Sequence, residues 1–497
     1  MDQANKLPPR QQTGAAATAP PRLNYPRAAL ALLSLAQLMI ALDATIVFVA
    51  LDAMGHHLQL APHHLQWVIS GYSVAFGGCL LLGGRCADLL GQRRMYVLAM
   101  ALFGLASLAG GFATDAWLLI AARAAQGVGA ALLFPATLAM INTLYRPGAE
   151  RNRALAVWSM ASAAGLAAGA LLGGVLTQWL GWNWVLWVLV PVAWPCALAA
   201  LRYLPAMPSV PRQQRRFDVA GCISVTLGSS LLVTALVQGP EWGWLDARTL
   251  AVVLVAGLAL AAFFAIEKRV AAPLMPLAML KVRGLQQAML LTLLFMSCYG
   301  VQYYFLGLYF QQVLGWSPLQ AGLAFVLPTI VCTVGIRWAE RGLAKRSART
   351  VLMAGWAAGL VGLIWTAAAL PLAGNYWWLV PGFIVMSIGQ GASWTGMWVL
   401  VGEGIAPQQQ GVASGVAATA QQVGAALGLA VLVMVAARPV AQLRAVGEAS
   451  AQALSQANAL GLQYAEWGTA VIALVALLVC AAMGRKPQVQ ALKAQTC

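Results

Sequence analysis

Asp43 and Arg123 are the two residues of this chain whose placement demands chemistry. Asp43 sits in AALALLSLAQLMIALDATIVFVAL, the one acidic residue of fourteen set deep within an apolar run; Arg123 lies in a second run, well away from its ends. A charge in hydrocarbon costs several kcal/mol unless it meets water or a partner, so such residues mark transport pathways, proton relays or buried pairs. Desolvation favours the neutral form of a carboxylic acid, and a neighbouring cation favours the charged form. An acid under both influences can take up a proton and surrender it when a cation arrives, which is the chemistry of proton-linked exchange. The plainer role for both is to satisfy polar neighbours and lock a helix bundle.

A second constellation is GRCADLLGQRR at 84–94. Gly84 and Gly91 permit close packing and a tight turn, Asp88 can cap a helix or meet a cation, and Arg93 and Arg94 suit a cytoplasmic face. All four His, at 56, 57, 63 and 64, fall in one loop, HHLQLAPHH. Two pairs this close suit a transition metal or a pH sensor, and equally an ordinary wet loop. The eight Cys show no metal or disulfide spacing, and most read as small buried hydrophobes. No metal site is expected.

The elements that must hold these residues are membrane spans. The 497 residues are 61% hydrophobic and 9% charged, with a mean hydropathy of +0.75. A soluble core cannot hide that much apolar surface. Fourteen runs approach the ~20 residues that cross a bilayer: 28–50, 65–86, 95–113, 117–143, 153–177, 184–204, 220–238, 248–266, 286–310, 318–338, 350–370, 377–400, 410–436 and 467–483, of which 248–266 and 467–483 are short. The net charge of +16 is no nucleic-acid signature. With the N-terminus in the cytoplasm, every Lys and Arg except Arg123, Arg248, Arg438 and Arg444 lies at or beyond a cytoplasmic end. That asymmetry orients the chain, with both termini inside.

Residues 1–27, polar and Pro-rich, read as a disordered cytoplasmic tail rather than a signal peptide, and 485–497 as a second tail. The basic, Pro-containing segment 205–217 ends a six-span half, 28–204; a linker with two extra spans covers 205–283; a second six-span half covers 284–484. GLAAGALLGG at 165–174 and VGAALGLAVL at 423–432 are echoing small-residue faces. Repeated halves around a midplane site are a common build of secondary transporters. The chain has no Gly-x-x-x-x-Gly-Lys-Ser/Thr loop, so an ion gradient is the expected energy source.

LDATIVFVAL (42–51), LQWVISGYSVAFGGCLLLGGRCADLLGQRR (65–94), RAAQGVGAA (123–131), PEWGW (240–244), LQQAML (285–290), LYFQQVLGWSPLQAGLAF (308–325) and GVASGVAATAQQVGAALGLA (411–430) occur in this order. As a set they resemble the fourteen-span drug:proton antiporter family of the major facilitator superfamily, over most of the chain. The resemblance implies an all-α fold of two pseudo-symmetric halves in a six-plus-two-plus-six arrangement. It implies proton coupling at Asp43 and Arg123, with Gln126 and Gly127 in the same motif, and gating at Gly84, Asp88, Gly91, Arg93 and Arg94. It places an antiporter motif at Gly165, Gly169, Gly173 and Gly174, although glycines there also serve packing alone. Spans 1, 4, 9 and 12 are implied to line the cavity, offering Gln126, Tyr299, Gln302, Tyr303, Gln390, Trp394 and Trp398. Tyr299 with Tyr303, and Trp394 with Trp398, are spaced i, i+4 on one face; such walls suit flat aromatic ligands and cations, and equally fill bundle cores. Trp182, Trp184, Trp377 and Trp378 read as interface residues. Phe48, Leu89 and Ala170 depart from the pattern, the last removing a Pro from span 5 and leaving its bend open.

The expected protein is a proton-coupled exporter of small hydrophobic compounds, drugs or the host's own natural product, in the inner membrane. It is no enzyme, needs no cofactor beyond the proton gradient, and works as a monomer, alone or with periplasmic partner proteins. An importer of a small solute and a non-transporting sensor or scaffold are the rival readings.

Overall fold

The computed structural model describes residues 25–206, 218–316, 318–370, 376–445 and 450–483, apart from positions 61, 271, 272, 274 and 276. Positions 1–24 of the first expected tail, the second tail from 485 and most of 205–217 lie outside them; Pro26 and Arg27, expected in the tail, begin the first helix. Fourteen helices among the described residues are long and apolar enough to cross a membrane. Spans 1–6 are Pro26–Leu51, Trp67–Leu90, Gln92–Gly111, Ala116–Leu144, Ala149–Trp179 and Asn183–Tyr203. Spans 7 and 8 are Val219–Leu236 and Ala247–Glu267. Spans 9–14 are Arg283–Val313, Gln320–Leu343, Ala348–Ala369, Val380–Gly402, Pro407–Leu443 and Gln452–Ala482.

Both runs that look short in the sequence are therefore full spans. The last begins well before the expected position 467, which carries Glu466 into the interior of the helix and overturns the reading of Asp43 as the one deep acid. Ser450 starts that helix by accepting from the Ala453 amide; Asp115, Asp218 and Ser347 cap spans 4, 7 and 11 in the same way, each satisfying an otherwise orphaned backbone donor.

The two halves are visible in the packing. Span 1 lies along span 5, and span 2 along span 4; in the other half span 12 lies along spans 10 and 11, and span 14 along spans 11 and 13. The halves meet where span 2 crosses span 13 and span 5 crosses span 10. Spans 7 and 8 pair with each other and span 7 rests on spans 2 and 13, with Leu250, Leu254 and Leu258 of span 8 turned outward. Apolar packing gives little between helices already in lipid, so close backbone approach carries the association. Gly83 meets the Ala131 backbone of span 4 and Gly424 meets Leu293 of span 9, where a β-carbon would collide. Span 5 runs unbroken from Ala149 to Trp179 despite the missing Pro.

Candidate functional site

Asp43 and Arg123 form one buried pair. Arg123 Nη1 donates to both carboxylate oxygens of Asp43, at 2.8 and 2.9 Å, and the residues are 0% and 2% exposed. Elsewhere on the guanidinium, Nε donates to the Val68 carbonyl at 3.2 Å and Nη1 to Gln126 Oε1 at 2.7 Å, and its carbon lies 4.5 Å from the Tyr72 ring centre. Gln126 Nε2 passes the network on to Ser107 at 2.7 Å. Gln126 thus belongs to the ion-pair network and not to the cavity wall, contrary to the expectation. A buried pair is the arrangement in which removing one partner is most damaging.

Span 5 holds this pair from behind. Gly165, Gly169 and Gly173 lie against the span 1 backbone at Leu38, Leu42 and Ile46, bracketing Asp43; Gly174 meets only a Val49 methyl, at 4.0 Å. Three of the four motif glycines therefore share the contact and Gly174 does not, because one residue turns a helical position by about 100°.

The loop motif closes one end of the seam between the halves. Asp88 accepts from the backbone amides of Gly411 and Val412 at 3.0 and 2.9 Å, a carboxylate at the start of a helix, where unpaired amides and the helix dipole both favour negative charge. Gly84 permits this approach: its backbone and that of Gly411 touch where side chains would stand. Asn142 adds a hydrogen bond to Gln410 at 3.1 Å. Gly91 takes φ 97° at the head of span 3, which favours glycine. Arg93 reaches the Leu204 carbonyl at 3.2 Å, and Arg94 is exposed.

The expected cavity residues separate into two groups. Trp394 and Trp398 stack into an aromatic box with Trp158 of span 5, Phe134 of span 4, Phe295 and Tyr299 of span 9, and Trp356 of span 11, with ring centres 4.9 to 6.4 Å apart. The indole nitrogens of Trp158, Trp356, Trp394 and Trp398 and the Tyr299 hydroxyl are buried with no hydrogen-bond partner. Orphaned donors each cost about 1–3 kcal/mol, so the box is poised for a ligand or water that supplies acceptors. Trp158 and Trp356 were not anticipated; only their position in the bundle distinguishes them from other tryptophans. Tyr299, Gln302, Tyr303 and Gln390 line a second, small space of about 10 Å³, room for roughly one water.

Gln302 has a partner that sequence reasoning missed. Its Nε2 donates to Glu466 Oε2 of span 14 at 2.7 Å, and Glu466 is 0% exposed. The polar stretch SQANALGLQYAE hides Glu466 from a search for apolar runs; i, i+4 spacing of Leu462, Glu466 and Ala470 on one buried face was the available signal. His56 and His57 are exposed at the end of the first helix, the side chains of His63, His64 and Asp52 lie outside those described, and no cluster of His, Cys, Asp or Glu suited to a metal occurs among the described residues. Trp184, Trp377 and Trp378 are exposed as interface residues should be, but Trp182 is buried.

Two pseudo-symmetric six-helix halves, a buried ion pair and a latched seam define a membrane transporter of the alternating-access kind. The chain belongs to the Major Facilitator Superfamily, whose profile matches residues 33–429. It is 39% identical to the cephamycin export protein CmcT of Amycolatopsis lactamdurans over 82% of this chain and 84% of that one. It is 37% identical to the puromycin resistance protein pur8 of Streptomyces alboniger, over 80% and 79%. Its fold matches the human organic anion transporter MFSD10 with a TM-score of 0.65 at 15% identity, covering 91% of this chain and 99% of that one.

Proposed function

We propose that this protein exports small, largely hydrophobic or aromatic compounds, antibiotics or the host's own natural product, across the cytoplasmic membrane in exchange for protons, with both termini in the cytoplasm. The observation that carries the coupling is the Asp43–Arg123 pair, sealed from water and joining spans 1 and 4. A proton on Asp43 cancels the attraction that holds Arg123, so protonation and helix position are linked; loss of the proton restores the pair. Asp88 on the Gly411 and Val412 amides serves as the latch that must open for substrate to enter. The substrate class is supported by the cephamycin export and puromycin resistance of the two bacterial relatives and by an aromatic box with unmet donors. Carbonyl- and ether-bearing aromatic compounds meet both needs of that box.

Everted vesicles, energised to be acid inside and loaded with a fluorescent pH probe, test this. Puromycin, a cephamycin and a panel of cationic dyes are added to vesicles containing wild type or Asp43→Asn. Compound-dependent proton release that requires Asp43 is the expected result. Release that survives in Asp43→Asn moves coupling off this pair, and a proton-driven signal with the opposite direction of solute movement replaces export with import.

A further inference from the structure

Among the described residues, Glu466 is the one acid deep within a spanning helix that the reading above leaves without a task; Glu150, Glu267 and Glu340 lie near span ends. Its surroundings differ from those of Asp43. The side chain is fully buried between spans 9 and 14, and the groups beside it are neutral: the Gln302 amide, whose Nε2 donates to Oε2 at 2.7 Å, and the Thr469 hydroxyl, which donates to the Glu466 backbone carbonyl at 2.7 Å. Two oxygens in this contact have no partner: Glu466 Oε1 and Gln302 Oε1 are both buried and unbonded. A carboxylate has only acceptors to offer and cannot meet the orphaned amide oxygen; a carboxylic acid has one donor. A single proton on Glu466 gives this contact the donor that a carboxylate lacks.

Among the described residues, the helices around Glu466 supply no counter-charge. Span 11 carries Arg349, bound to the Cys480 and Ala481 carbonyls near the far end of span 14. Span 13 carries Arg438, which is exposed beyond Ala436, the residue packed on Gly461. Span 9 brings Cys298, whose thiol donates to the Thr469 carbonyl at 3.4 Å, and Tyr299 and Tyr309, which are neutral. On span 14 itself, Tyr464 is exposed. The segment that bears Gln302 is also unusual. Val301–Leu308 is an ordinary α-helix held between two π-helical turns, Met296–Gly300 and Tyr309–Val313. Such turns commonly mark functional sites. Gln302 lines the small space with Tyr299, Tyr303 and Gln390, so its amide stands between that space and the acid.

We propose that Glu466 is a second proton-carrying acid of this transporter, loaded in this closed conformation through its pair with Gln302 and unloaded to water when the Gln302 amide turns to a ligand in the adjoining space. In the unloading step the Glu466 O–H bond breaks, water takes the proton as hydronium, and the carboxylate keeps the electron pair. The use of that proton rests on the exporter reading above; its presence does not.

Infrared spectra of the full chain in lipid nanodiscs test the proposal without any ligand. The expected result is a protonated-carboxyl C=O band near neutral pH that shifts in heavy water, is lost in Glu466→Gln and persists in Asp43→Asn. In Gln302→Leu the band should move in frequency as its partner is lost, and in Glu466→Asp it should move without vanishing, which separates loss of the acid from loss of the fold. No band difference between wild type and Glu466→Gln from mildly acidic to mildly alkaline pH overturns the proposal. So does a band indifferent to Gln302→Leu. Failure of the exporter reading has a different signature: the band behaves as expected while no compound moves protons in wild-type vesicles.

Discussion

The two halves of this molecule each bury one acid at a helix interface, and they neutralise it by opposite means. In the first half Asp43 meets a guanidinium that is also held by the Val68 carbonyl, the Gln126 amide and the Tyr72 face. In the second, Glu466 meets the amide of Gln302 and leaves two oxygens unmatched. An acid paired with a cation is held charged and depends on its partner; an acid paired with an amide is complete only when it carries its own proton. The same buried carboxyl group therefore becomes a lock in one half and a reservoir in the other.

The comparison can be broken most directly at Arg123. Arg123→Leu strands Asp43 without a cation and should cost about 3–5 kcal/mol of stability, read as denaturant unfolding in detergent. Adding Asp43→Asn should recover part of that loss through a coupling of about 0.5–3 kcal/mol; full stability in the single variant would mean that water already reaches Asp43.

The support behind span 1 should show the next largest effect. Gly169→Val drives a side chain into Thr45 and the Leu42 carbonyl, at a cost of about 1–3 kcal/mol for overpacking. Gly174→Ala, with only a methyl 4.0 Å away, should stay within about 0.5 kcal/mol by the same unfolding measurement. Equal losses at both positions would make the whole motif a packing stripe with no special relation to Asp43.

At the seam, Asp88→Asn replaces two hydrogen bonds to a charged acceptor, each worth about 1.5–3 kcal/mol, with weaker neutral ones. The closed arrangement should loosen, seen as several-fold faster thiol labelling of a cysteine placed at the buried Ala413 in a cysteine-free background. The smallest change sharpens the comparison most. Glu466→Gln swaps a neutral acid for a neutral amide and should shift stability by about 1 kcal/mol or less, well under the cost of Asp43→Asn. A loss as large as at Asp43 would mean that Glu466 is charged and has a cation to lose.

Much of this was legible in the chain. Charge inside hydrocarbon is costly wherever it occurs, so Asp43 and Arg123 stand out before any fold is known, and the apolar runs locate nearly every span. Glu466 escaped because the first half of span 14 is amphipathic: its polar residues interrupt the apolar run, and the helix is seen only once its buried face has partners in spans 11 and 13. Gln126 was read as cavity wall because its motif names the residue without saying which side of the helix it faces. Trp158 and Trp356 join the aromatic box from spans that were not expected to line it.

The sequence by itself determined that this is a polytopic membrane protein of twelve to fourteen spans, that Asp43 and Arg123 must be answered by something, and that the 84–94 loop is built for a tight polar junction, because composition and the energetics of charge in lipid act residue by residue. Only the tertiary structure decided that Asp43 and Arg123 answer each other, that Asp88 sits on the amides of a helix more than three hundred residues away in the chain, and that a second buried acid, Glu466, meets the amide of Gln302. Pairing depends on which helix faces meet, and that is set by close packing of glycine and aromatic surfaces across the whole bundle.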